Sequence, residues 1–137
     1  MTIADLRTHV VSAPLHAPFV TAARRTDVVD AVLVEVVDSD GRAGWGEGVA
    51  TWRITGDSVP GISAALDGPL RATVIGADAD DLEPLLRRVA ASIVGNTAAK
   101  AGLDVALHDL AARRVGVSLP RFLGTSATTV ATDVTIT

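Results

Sequence analysis

Cysteine is absent from the chain, which excludes a disulfide framework and any thiolate chemistry. Lysine is almost absent. Of the twelve Lys and Arg residues, only Lys100 is a lysine, so chemistry that needs a pair of lysines cannot reside here. Excess charge is missing too. A net charge of −4 gives no electrostatic case for nucleic acid or an anionic membrane as partner. No apolar run approaches the ~20 residues of a membrane span. The N-terminal MTIADLRTHV lacks the basic-then-apolar layout of a signal peptide, so a soluble, cytoplasmic protein is the expectation. The three histidines, His9, His16 and His108, are not at metal-ligand spacing.

What remains is ordinary globular material: 137 residues, 48% hydrophobic and 20% charged, enough for one domain with a real core. Residues 2–12 read as a strand. PLHAPFVTAARRT follows, and its two prolines and lack of periodicity predict a loop of about a dozen residues. VVDAVLVEVVD is the strongest strand signal, with Val32, Val34 and Val36 on one face and Leu33, Glu35 and Val37 on the other. DSDG predicts a hairpin turn at Gly41. RAGWGEG is the returning strand, its glycines permitting close backbone approach. The result is a three-stranded antiparallel meander.

VATWRITGDS is a second polar loop, and three helical segments come after it. Ile62, Leu66 and Leu70 recur at four-residue spacing, with Gly68-Pro69 expected to break or kink the helix. Asp80 to Val94 carries an apolar stripe, and Asp80 with Glu83 resembles a capping box. Asn96 to Val115 turns Leu103, Ala106, Leu107 and Leu110 inward, with Asn96 as the expected N-cap. SLPRFLG gives a short helical turn, and ATTVATDVTIT a final strand without a partner in the meander. The fold class is α+β.

Several stretches in this order resemble one family: APFVTAARRT, DGRAGWGEG, TWRITGDS, GNTAAKAGLDVALHDLAARRVGVSLPRFLG and TDVTIT. Together they are similar to the N-terminal capping domain of the enolase superfamily, in its muconate lactonizing subgroup. The ITGD and PFxTAxR loops look like the dipeptide epimerase pattern of the L-Ala-D/L-Glu type. The resemblance implies a capping domain over residues 1–125 and, over 126–137, the first strand of a (β/α)₇β barrel whose remainder is absent. In such enzymes a lysine pair and a Mg²⁺ ion on the barrel invert a stereocentre beside a carboxylate. None of those catalytic residues or metal ligands matches a residue of this chain, so the resemblance leaves it a lid and a specificity role toward a small-molecule dipeptide. Its implied partners are its own barrel domain and, in the complete enzyme, Mg²⁺, with a homo-oligomer as a further expectation. An N-acylamino-acid racemase, an o-succinylbenzoate synthase, a cycloisomerase and a stand-alone non-catalytic α+β module are the alternatives.

The resemblance singles out four substrate-binding positions. Arg24 matches an arginine that grips a substrate side-chain carboxylate, a task suited to a planar guanidinium. Its neighbour Arg25 would take that role if the register shifted by one. Phe19 and Ile54 match apolar lid positions, although Phe19 also reads as a core residue. Thr135 lies on the expected barrel strand, where a threonine also suits strand propensity alone. Glu47 and Asp109 are read as makers of structural hydrogen bonds rather than as acid or base, and His108 as solvent-facing.

Overall fold

The computed structural model describes residues 1–22, 24–126 and 129–132. Three antiparallel strands, β1 (Ile3–Val20), β2 (Arg25–Asp38) and β3 (Ala43–Val49), form a sheet in the order β1-β2-β3. The alternation in β2 does what its pattern dictates. Val32, Val34 and Val36 are fully buried under the helices, while Leu33, Glu35 and Val37 stay half-exposed on the other face. Gly41, at φ 82°, closes the β2–β3 turn, and the buried Asp38 accepts the backbone N–H groups of Asp40 and Arg42, each at 2.9 Å.

The helical layer covers one face of the sheet. It comprises α1 (Val59–Ala65), a π-helical turn (Leu66–Leu70), α2 (Arg71–Val74), α3 (Leu82–Ser92), α4 (Thr97–Arg114) and α5 (Leu119–Phe122). Gly68 leaves helical geometry at φ −101°, ψ −107°, which is the kink expected at Gly-Pro. The chain passes through it with Leu66 and Leu70 still fully buried. Lys100 stands on α4 and donates its Nζ to Ala90 O (2.7 Å) and to Ile93 O, so the lone lysine satisfies carbonyls at the C-terminal end of α3.

The contact that joins the two layers is made of glycine. Gly44, Gly46 and Gly48 of β3 face Ala98, Gly102, Ala106 and Leu110 of α4. Two strand residues advance roughly 6.6 Å and four helix residues roughly 6 Å, so the two rows keep step. A Cβ on Gly46 would stand 2.0 Å from Gly102 O, and one on Gly44 would stand 2.3 Å from Ala106 O. Side chains are therefore excluded, and helix backbone lies directly on strand backbone. Asp109, one residue before the end of that row, accepts the outward N–H of Trp45 at 2.9 Å and is itself held by Arg113 Nε at 2.8 Å. It thereby occupies a donor on the free edge of β3.

Several local expectations are corrected. The predicted loop at 14–26 is mostly strand: β1 runs on to Val20 and β2 begins at Arg25. β1 is an edge strand, where a residue without N–H is tolerated, and the register slips between Pro14 and Phe19 to absorb Pro18. Asp80 makes no capping box. The N-cap of α3 is Asp81, without a side-chain bond, and Asp80 is drawn away by ion pairs to the Met1 ammonium (3.0 Å) and Arg114. Asn96 holds the N-cap position of α4 in a left-handed conformation, but its Nδ2 donates back to Val94 O at 2.9 Å and caps nothing. His108 is only 24% exposed, because Asp104 (Oδ1 at 3.1 Å) and the edge of Phe122 enclose it. The Glu47 side chain is exposed and meets no hydrogen-bond partner among the described residues, because odd positions of β3 turn away from the helices. Of the expected barrel strand, residues 129–132 carry no regular structure, and Thr135 lies outside the described residues.

Two predictions follow from this packing. Gly46→Ala should destabilise the domain by roughly 3 kcal/mol or more, because the obstacle is backbone and cannot swing aside. Gly41→Asn, in open space, should cost no more than about 1 kcal/mol. Chemical denaturation of the two variants makes the comparison. The second concerns acid. Hydrogen bonding from Arg71, aided by Arg7, holds the Asp5 carboxyl below the usual carboxylate range. Such a depressed group contributes stability above the ordinary carboxylate pKa and loses it as pH falls through its folded value. Arg71→Met should therefore lower Tm at neutral pH and flatten its fall below about pH 4, as read by thermal melts across pH.

Candidate functional site

β3 ends opposite Ala31, whereas β2 continues to Arg25 paired only with β1. The hairpin beyond that point projects past the helical layer as a two-stranded arm, and Val20 and Val28 on it are 40% and 44% exposed. Its tip is a tight turn in which Thr21 N donates to Arg24 O at 2.8 Å and Arg24 N donates to Thr21 Oγ1 at 3.2 Å. The loop after β3 starts beside the arm, where Ala50 N donates to Asp30 O at 3.0 Å. Both loops that the sequence marked thus emerge from one end of the sheet.

Arg24 is half-buried, with its guanidinium carbon 5.9 Å from the centroid of the Phe19 ring. Among the described residues no carboxylate pairs with it. Arg25 is engaged differently: its Nη2 meets Asp27 Oδ1 at 2.9 Å and its Nε meets Asp27 Oδ2 at 3.2 Å. Two adjacent arginines that look equivalent in sequence are therefore distinct, one neutralised and one free to take an anion.

Arg24 also divides two clefts. One, of about 450 Å³, is mainly apolar and lined by Leu15, His16, Phe19 and Val29. The other, of about 280 Å³, lies between arm and loop and is lined by Arg24, Arg25, Thr26, Thr51, Trp52 and Arg53. The structure brings Phe19 to Arg24. It leaves Ile54 out of the lining of this second cleft, 64% exposed. Trp52, two residues earlier and 71% exposed, stands there instead. Sequence reasoning passed over Trp52, although a tryptophan flanked by Thr51 and Arg53 in a polar loop was the available signal.

The turn that carries these side chains is held by hydrogen bonds. Thr51 O accepts from Ile54 N (2.9 Å) and Thr55 N (3.0 Å), and the Thr51 and Thr55 hydroxyls meet at 2.9 Å. Among the described residues no group of three or more His, Cys, Asp or Glu is placed to hold a metal ion. No helix there is long and apolar enough to cross a membrane. The arrangement can bind and orient an anionic group, and it can cover a site.

Comparison with known proteins fits that geometry. Residues 3–124 match the family model of the mandelate racemase / muconate lactonizing enzyme N-terminal domain. The chain belongs to this family. It is the capping domain of the muconate lactonizing subgroup of the enolase superfamily, as its landmarks suggested. It is 37% identical over 136 residues to an L-Ala-D/L-Glu epimerase of Clostridium acetobutylicum, covering 99% of this chain and 38% of that protein. An L-Lys-D/L-Arg epimerase of Methylococcus capsulatus is 35% identical over 136 residues, again covering 99% of this chain and 38% of the relative. The substrate-liganded L-Ala-D/L-Glu epimerase of Bacillus subtilis superposes with a TM-score of 0.87 at 34% identity, over 90% of this chain and 34% of that one. The capping domain thus spans little more than a third of the relatives it matches.

The two tryptophans should report on this end of the molecule. Trp52 is open to solvent, whereas Trp45 is 39% exposed and stacked 5.6 Å from the His9 ring. Acrylamide should therefore quench mainly Trp52, and Trp52→Phe should remove most of the quenchable emission in a Stern–Volmer titration.

Proposed function

We propose that this capping domain is the lid and specificity portion of a dipeptide epimerase-like enzyme, an isomerase that inverts a stereocentre by removing the α-proton beside a carboxylate. The proposed substrate is a dipeptide with an acidic second residue. The observation that carries this reading is the contrast at the arm tip: Arg25 is bound by Asp27, while Arg24 rests on Phe19 without an acid partner among the described residues. Identity alone does not choose the substrate, since an Ala-Glu and a Lys-Arg epimerase are similar to this chain to nearly the same degree. A guanidinium without an acid partner among the described residues, beside an aromatic ring, supports the acidic dipeptide. It favours a carboxylate and repels a cationic side chain.

The division of labour in the proposed enzyme follows from this chain's residues. Arg24 takes the distal carboxylate, Phe19 fixes the plane of the guanidinium, and the arm and the 50–58 loop exclude water from the covered substrate. A structure of the Methylococcus capsulatus relative contains Mg together with a dipeptide. The proposed enzyme is read as Mg²⁺-dependent by analogy, with ligands outside this chain, and no step is assigned to a metal on the described residues. A cytoplasmic location and a homo-oligomeric assembly complete the proposal.

The test uses the full-length enzyme and follows α-proton exchange in D₂O. Arg24→Met should lower kcat/KM for L-Ala-L-Glu by about 30- to 150-fold, equivalent to roughly 2–3 kcal/mol for a lost charged hydrogen-bond partner. A neutral dipeptide such as L-Ala-L-Leu should change little or improve, and Arg25→Met should be mild on both. An equal loss on both dipeptides would mean that Arg24 only holds the arm. A selective loss confined to Arg25→Met would assign the carboxylate to the neighbour instead.

A further inference from the structure

The cleft between arm and loop has two walls of unlike chemistry. On one side stands Arg24 with its unpaired guanidinium, and on the other the indole of Trp52. At 71% exposure, Trp52 is the most exposed tryptophan or phenylalanine of the domain, and its position is not an accident of a slack loop. The Thr51–Thr55 bonds fix the turn, so the tryptophan is presented on the cleft. Holding its indole exposed forgoes the gain of burying it, unless something covers it. The occupant already inferred for Arg24 is an anion, and an anion alone would leave the indole bare. A ligand that satisfies both walls carries its carboxylate on an apolar stem. A side chain of that kind brings methylenes to the indole when its carboxylate reaches the guanidinium.

We propose that Trp52 is a specificity-determining residue that packs on the stem of the substrate's acidic side chain while Arg24 takes its carboxylate. This rests on the reading of Arg24 given above and adds to it a second, apolar determinant in the neighbouring loop.

The experiment uses full-length enzyme with Trp45→Phe as background, so that Trp52 is the only tryptophan of this domain. Trp52→Ala should lower kcat/KM for L-Ala-L-Glu by about ten- to thirty-fold, mainly through KM, as expected for uncovering a modest apolar contact. Trp52→Phe should restore it to within about threefold. In the Trp52-containing background, saturating L-Ala-L-Glu should protect the indole from acrylamide, and L-alanine should not. If Trp52→Ala leaves kcat/KM unchanged and the dipeptide gives no protection while Arg24→Met still loses selectivity, the role of Trp52 is refuted and that of Arg24 stands. If Trp52→Ala and Trp52→Phe fall equally and the dipeptide gives no protection, the tryptophan serves the loop or another partner, and the proposal fails. If the unmutated enzyme exchanges no dipeptide α-proton, the proposed function itself falls.

Discussion

The bare-backbone contact between β3 and α4 is the constraint on which the rest of this domain depends. Glycines at every second strand position leave no side chain between sheet and helix, so α4 settles closer than any packed interface would allow. Once that distance is set, Leu103, Ala106, Leu107 and Leu110 meet Val34 and Val36 in one core. The interior glycine of α4, Gly102, would by itself weaken the helix by about 1 kcal/mol relative to alanine. Its Cβ would stand 3.0 Å from Glu47 C and Gly48 N, so the local cost is offset by tertiary contact.

This contact also explains why the candidate site lies where it does. Because α4 sits on β3, the helical layer is centred over that side of the sheet, and β1 and β2 extend beyond it. A two-stranded ribbon alone is only marginally stable in water, so the arm suits a surface meant to be covered. The exposed Val20 and Val28 of the arm, and Trp52 and Ile54 of the neighbouring loop, are consistent with that use. Arg24 is presented from a short hydrogen-bonded turn, and its neighbour is neutralised by Asp27. The difference between two identical side chains thereby comes from one aspartate two residues after Arg25.

Most of the architecture was legible in the sequence. Val32, Val34 and Val36 announced the buried face of β2, and the glycines of RAGWGEG announced a close approach. What they could not show was which element approached. The arm was read as a loop because Pro14 and Pro18 obscure strand periodicity, and only the edge position of β1 makes them harmless. The capping box at Asp80 failed because a long-range ion pair to Arg114 outcompeted a local bond, which no local motif can reveal. At the site, the resemblance pointed to Arg24 and Phe19, which lie side by side on the arm. Trp52 was missed because its orientation depends on the threonine bonds of a single turn.

The central claim is that an unpaired arginine at the arm tip makes the complete enzyme one for acidic dipeptides. The most direct measurement is α-proton exchange by the unmutated full-length enzyme on L-Ala-L-Glu, L-Ala-L-Leu and L-Ala-L-Lys under one set of conditions. The account predicts the highest kcat/KM for L-Ala-L-Glu and the lowest for L-Ala-L-Lys. A preference for L-Ala-L-Lys or L-Ala-L-Leu, with Arg24 intact, would contradict it.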